Sequence, residues 1–212
     1  MVENEDFGSI GVGAMIIFIA MVLVAGIAAS VFVQVANELQ MQALFSGMET
    51  LDEVSTGVNV LDVSGHVTNS SQGIDLMTIS IKGRSGSEDI DLGELVVELA
   101  DDTTKVVLKY DSSQYNSSVG DGGVFNESVF DLDANEFGII VIEDADGSCQ
   151  QNSPIVNEGD LVLITVNTSE TFSPGIPVRV NIWGNVIPEF GSWGVIDFIT
   201  PATYTNSIYD LQ

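Results

Sequence analysis

The sequence predicts an α+β chain, with a long hydrophobic N-terminal α-helix followed by an antiparallel β-sandwich or small barrel. Three observations predict it. The chain has 212 residues, Lys+Arg 5 against Asp+Glu 31 and a formal net charge of -26, yet it is 45% hydrophobic with a mean hydropathy of +0.30. Disordered acidic chains are poor in apolar residues, so the two kinds of residue must be either interleaved or segregated. They are segregated: no charged side chain occurs in residues 10–36, and beyond Val58 apolar residues recur with period two between Gly, Asn, Asp and Ser clusters.

The acidic balance excludes some functions at once. Five cations cannot neutralise a run of phosphates, so nucleic acid is not a partner. An anionic lipid surface is excluded on the same ground.

Residues 10–36 hold only Ser30 and Gln34 as polar side chains. About 20 apolar residues at a rise of ~1.5 Å each span a bilayer core, so the segment is long enough to wait in a membrane. It is longer than the roughly 7–15 apolar residues of a secretory signal, and no small-x-small cleavage site ends it, so the segment is expected to persist in the mature protein. Its flanks carry no Lys or Arg, and the positive-inside rule gives no orientation.

The apolar pattern then continues through Met41, Leu44, Phe45, Met48, Leu51, Val54 and Val58 at spacings of three and four, with Gln40, Gln42, Glu49, Asp52 and Glu53 between them. That is a helical period, and Gly57 is a stop signal. A helix from Met15 to Thr56 would run roughly 60 Å, twice a bilayer core, and so needs a second apolar surface. Copies of the same helix are the simplest one. The small pairs Gly26/Ser30 and Ala25/Ala29, each four apart, would let backbones approach. Ile16, Ile17, Phe18, Met21, Val24, Ala25, Gly26, Ala29 and Phe32 are the candidate polymerisation residues of this helix.

Strands are expected at Met77–Ile81, Glu94–Leu99, Lys105–Tyr110, Phe137–Ile142, Leu161–Val166, Ile176–Ile182 and Val195–Ile199. Seven or more short strands without helical period suggest one Ig-like antiparallel domain. The predicted divisions are 1–8 as a leader, 9–57 as the helix and 58–212 as the β domain.

Candidate chemistry is sparse. His66 and Cys149 are each the sole residue of their type, too few for a zinc site or a disulfide framework. Cys149 reads as a surface thiol in a loop. Gly83-Arg84-Ser85-Gly86 lacks the spacing of a phosphate loop. Asp131, Asp133 and Asn135 have the 1-3-5 spacing of a calcium loop, but Glu136 stands where Gly is needed and Ile142 where the bidentate Glu belongs, leaving at most a looser calcium site. No catalytic constellation, resident metal or cofactor is expected. Asn69, Asn116, Asn126 and Asn167 begin Asn-x-Ser/Thr sequons in turn-like stretches or strand ends, which suits a glycosylated exterior.

The stretch Gly11-Val12-Gly13-Ala14-Met15-Ile16-Ile17-Phe18-Ile19-Ala20-Met21-Val22-Leu23-Val24-Ala25 resembles the N-terminal signature of archaeal flagellins (archaellins). Gly86-Ser87-Glu88-Asp89-Ile90-Asp91-Leu92 is similar to the family's central motif, G-x-x-x-I-D-L. Gly184 to Gly191, Phe198-Ile199-Thr200-Pro201, Tyr204 and Asp210-Leu211-Gln212 match its closing pattern. The resemblance implies a class III signal peptide cut by a prepilin-type peptidase between Gly8 and Ser9. Phe7 stands where the family usually has a basic residue, and Gly13 where bacterial type IV pilins carry Glu.

It further implies a non-enzymatic subunit that polymerises, alone or with other archaellins, into the archaellum filament. The precursor would be transiently membrane-inserted, the filament would lie outside the cell, and base and motor components would rotate it. A membrane-anchored, outward-facing β-sandwich that binds a ligand or the cell envelope, as archaellum accessory proteins do, is the alternative; an exported hydrolase using scattered carboxylates is a more remote one.

Overall fold

The computed structural model describes the backbone of residues 3–212 and the side chains of residues 10–212. The leader's first two residues and the side chains up to residue 9, that of Ser9 at the expected processing site among them, lie outside the described residues. Two compact units result, Met1–Thr50 and Leu51–Gln212.

The first unit is helical. Helix α1 spans Glu3–Ser55, starting twelve residues before the expected Met15. Gly11 and Gly13 do not stop it, because a helical Gly costs about 1 kcal/mol relative to Ala, whereas a Pro would break the helix. Its last turn closes with Thr56 N donating to Asp52 O at 2.9 Å, and Gly57 follows.

The second unit is built of strands β1 (Val58–His66), β2 (Leu76–Gly83), β3 (Ile90–Asp91), β4 (Val96–Ala100), β5 (Lys105–Asn116), β6 (Glu136–Glu143), β7 (Cys149–Gln150), β8 (Ser153–Val156), β9 (Leu161–Asn167), β10 (Asn181–Ile187), β11 (Gly194–Ile199) and β12 (Ile208–Asp210), with a four-residue helix α2 (Thr168–Thr171) after β9. Nine strands form one sheet in the order β11-β10-β4-β5-β6-β9-β2-β1-β12, and β3-β8-β7 form a small second sheet. The large sheet curls until its ends meet. Gln212 bridges them, its Nε2 donating to Val195 O (3.1 Å) while its Oε1 accepts from Asp197 N (2.8 Å). Val58 N donates to Ser192 O at 3.1 Å at the same seam. A curled, nearly closed sheet hides the edges that would otherwise template pairing with other chains.

The pairing is antiparallel except between β5 and β6, which run parallel. A parallel pair needs a long crossover. Here residues 117–135 supply it, folding as two 3-10 turns at Val124–Asn126 and Ser128–Phe130. Val129 and Phe130 from this crossover pack on Ile140, which points away from the main core. The main core inside the curl gathers Val63, Met77, Ile79, Leu99, Leu108, Phe137, Ile164, Ile182 and Ile196, each fully buried.

The strand expected at Ile176–Ile182 is displaced: β10 begins only at Asn181. Ile176 instead makes a two-bond bridge to Ile74, Pro177 has no N–H for a ladder, and Val178 is exposed. The alternation of apolar residues there does not follow a strand face. The true strand runs on through Trp183-Gly184-Asn185, where a Cβ on Gly184 would collide with the Glu98 carbonyl oxygen of the neighbouring β4.

Candidate assembly surface and polar sites

The candidate polymerisation residues all lie on α1. Ile16, Ile17, Phe18, Met21, Val24 and Phe32 are exposed, with Phe32 at 77%. Ala25, Gly26 and Ala29 are exposed as well. Ile17, Ala20, Met21, Val24, Ala25 and Ala28 line a shallow apolar groove on one face of the helix. Added Cβ atoms on Gly11, Gly13, Gly26 and Gly47 would meet nothing within 4 Å. These glycines weaken the helix by about 1 kcal/mol each without serving any contact of the subunit itself. Exposed large apolar residues in such a continuous run mark an interaction surface.

The archaellin-like motifs resolve into packing devices. Ile90 and Leu92 are buried on either side of Asp91, whose Oδ1 accepts from Gly93 N at 2.7 Å. In the closing motif, Gly191 has φ +90, and a Cβ there would collide with the Thr56 carbonyl oxygen. Ser192 N can therefore donate to Thr56 O at 3.0 Å and fasten the segment after β10 to the start of β1. Buried Thr200 donates to Pro177 O and accepts from Val180 N, both at 2.8 Å, and Tyr204 Oη donates to Ile176 O at 3.1 Å.

The four sequons are not equivalent. Asn69 is exposed, and its Oδ1 accepts from Ser71 N in a turn, while its amide nitrogen donates no hydrogen bond among the described residues. Asn126 is exposed, with Nδ2 donating to Gly122 O. Asn116 and Asn167 are half-buried, with Nδ2 donating to Glu127 Oε2 (2.7 Å) and to Phe130 O (3.2 Å).

Asp131 and Asp133 line a polar depression with Asp111, Glu136 and Glu170, while Asn135 is not among its walls. A tighter carboxylate group is not apparent from sequence spacing. Ligand oxygens of Asp144, Asp146 and Asp160 lie within 4.8 Å of one another. The Asp144-x-Asp146 spacing is local, but Asp160 joins only because β9 returns beside β6. These oxygens already accept hydrogen bonds: Asp160 from Ala145 N and Asn157 N, Asp144 from Gly147 N, and Asp146 from Ser148 N and Asn157 Nδ2. Hydrogen bonding by Ser148 and Asn157 holds Asp146 below the ordinary carboxylate range.

Cys149 departs from expectation: it is buried at 3% exposure, because β7 folds it under β8 against the main core. Burial, reinforced by Asp144 and Asp160, pushes its thiol up to about 12. A thiol kept protonated is a poor nucleophile. His66 is engaged elsewhere, with Nδ1 3.2 Å from Asp75 Oδ1 and its ring stacked on Phe125. The only two residues that could have formed a Cys-His pair are thus each committed to other contacts.

A helix that exposes its whole apolar length, followed in sequence by a curled β domain in which, among the described residues, no buried side-chain polar atom lacks a partner, defines a helix-tailed assembly subunit. The family described as archaeal-type flagellin matches residues 8–198. Flagellin B2 of Methanocaldococcus jannaschii is 41% identical over 209 residues, covering 97% of this chain and 95% of its own. Flagellin B1 of Methanococcus voltae is 36% identical with the same coverages, 97% and 95%. The chain belongs to the archaeal flagellin family. The crystal structure of archaeal flagellin FlaB1 from Methanocaldococcus jannaschii superimposes with a TM-score of 0.68 at 34% identity, covering 74% of this chain and 97% of that one. The archaeal flagellum of Methanospirillum hungatei shares the fold, with a TM-score of 0.61 at 13% identity over 95% of this chain and 98% of that one.

Proposed function

We propose that this chain is a structural subunit of the archaellum filament, polymerising through its N-terminal helix with copies of itself or other archaellins. The observation that carries the reading is the exposure of every large apolar side chain from Ile10 to Val54 on α1. Lipid can cover that surface before assembly, and like helices can replace lipid afterwards, since tails and aliphatic side chains are similarly apolar. Each buried apolar side chain is worth roughly 1.5–3 kcal/mol against water, so escape of an assembled subunit into solution is strongly disfavoured. A repeated contact between two different faces of the subunit generates an open helical polymer rather than a closed ring.

In this reading residues 1–8 are a leader removed by a prepilin-type peptidase between Gly8 and Ser9, residues 9–57 form the polymerisation helix, and residues 58–212 form the wall. The wall's acidic charge keeps assembled surfaces soluble and mutually repelling. Base and motor components turn the filament, so the subunit itself performs no catalysis. Electron microscopy of sheared surface filaments, with mass spectrometry of the subunit's N-terminus, tests the reading. A mature terminus at Ser9 in an extracellular filament is expected; a chain confined to the membrane with Met1 or Val2 at its terminus would refute it.

A further inference from the structure

We propose that Asp121 is a site of spontaneous backbone modification, where the chain isomerises through a cyclic imide to an isoaspartyl link with Gly122. The chain contains two Asp-Gly bonds, Asp121-Gly122 and Asp146-Gly147, and no Asn-Gly bond. Glycine after Asp favours this ring closure, because no Cβ shields its amide nitrogen from the neighbouring carboxyl. All four residues are exposed, so access to water does not distinguish the two bonds. Hydrogen bonding does.

At Asp146-Gly147 both reacting groups are engaged. Gly147 N donates to Asp144 Oδ1 at 2.7 Å. The Asp146 carboxylate accepts from Ser148 N (3.0 Å) and from Asn157 Nδ2 (2.7 Å). At Asp121-Gly122 neither group is. Gly123 N donates to Gly120 O at 3.2 Å, so Asp121 and Gly122 are the central residues of a turn. That bond joins the outer residues only. Among the described residues Gly122 N donates no hydrogen bond and the Asp121 carboxylate accepts none. The flanks are anchored instead: Gly120 N donates to Glu127 Oε1 (2.6 Å), and Asn126 Nδ2 donates to Gly122 O (2.5 Å).

The reaction needs only water. Gly122 N attacks Asp121 Cγ, a C–N bond forms, and the carboxyl hydroxyl leaves with the amide proton as water. Water then opens the imide at one of its two carbonyls. Opening at Cγ restores Asp121. Opening at the main-chain carbonyl leaves the chain running through Cβ and Cγ, with the former main-chain carbonyl as a free carboxylate and the net charge unchanged. The isoaspartyl link lengthens the backbone inside the turn, so the Gly123-to-Gly120 and Asn126-to-Gly122 bonds cannot both persist. Modification therefore loosens the tip of the crossover that carries Asn126.

Incubating the full-length protein in heavy-oxygen water, folded and in denaturant, tests the site. The solution is kept at about pH 5, where exposed carboxyls are partly protonated and can lose water. Every passage through the imide leaves heavy oxygen in the residue, and peptide mass spectrometry reads it at each Asp-Gly bond. In the folded protein Asp121 is expected to label at least about tenfold faster than Asp146, since several hydrogen bonds must break before Asp146 can react. In denaturant the two should label within about threefold of each other. An endoproteinase that cuts before Asp should progressively lose its cut at residue 121 of the folded protein, and D121E should abolish the labelling there. Equal labelling of the two bonds in the folded protein, or labelling of Asp121 only after unfolding, overturns the inference. A tenfold difference that persists in denaturant also overturns it, since the selectivity would then lie in local sequence rather than in the fold.

Discussion

Replacing Phe32 by Ala separates subunit folding from assembly. Phe32 is 77% exposed on α1. An aromatic side chain presents about 150–250 Å², so about 115–190 Å² of Phe32 awaits a partner. At about 25 cal/mol per Å² its burial is worth about 3–5 kcal/mol per subunit. Ala keeps a methyl group, so the loss is about 2–4 kcal/mol, which raises the subunit concentration in equilibrium with filaments by about 30- to 900-fold. The β domain should melt at the unchanged temperature, because Phe32 buries nothing in the subunit itself. Sedimentation of diluted filaments in detergent-free buffer measures the first quantity, and tryptophan fluorescence of the melting β domain measures the second. Filaments whose subunit release stays within about twofold of the parent would refute the reasoning, since that bounds the change at about 0.4 kcal/mol.

Three further outcomes are expected. Peptide mass spectrometry should find sugar on Asn69 more fully than on Asn116 or Asn167, whose amide nitrogens already donate to Glu127 and Phe130; the reverse order would show that the folded geometry does not govern modification. Gly184→Val should destabilise the barrel by more than about 2 kcal/mol, as a Cβ in the space of a backbone carbonyl forces β4 and β10 apart. An unchanged thermal midpoint would mean the strands can separate at no expense. Cys149 should resist thiol reagents at pH 8 until the domain is unfolded. Its raised folded pKa makes the burial contribution complete below the ordinary value of 9.0 and progressively lost as pH rises toward about 12. Cys149→Ala should therefore flatten that part of the alkaline unfolding curve, and a curve identical to the parent's would count against it.

Local periodicity made the helix and six of the nine strands of the large sheet legible, while β1, β12 and the short strands of the second sheet were not expected. Residues 10–36 have no charge to interrupt them, so the helix needed no tertiary information. Its extension back to Glu3 goes beyond the expected start at Met15, because a helix tolerates Gly11 and Gly13 at small cost. Strands such as β11 alternate cleanly because one face is core. β10 was misplaced because its centre is Trp183-Gly184-Asn185, where close backbone approach rather than apolar alternation selects the residues. The polymerisation residues could be read directly from hydropathy, whereas the sequons looked alike until burial and hydrogen bonding separated Asn69 from Asn116 and Asn167.

The sequence by itself determined the division into an apolar helix and an acidic β domain, since hydropathy and period are properties of neighbouring residues. Only the tertiary structure decided which residues from distant strands share a place. It set Asp160 beside Asp144 and Asp146, drew Cys149 into the core, and closed the sheet through Gln212. Strand order decides these meetings, and strand order depends on long-range pairing, whose contacts are favourable only after long loops have closed and so leave little trace in local sequence.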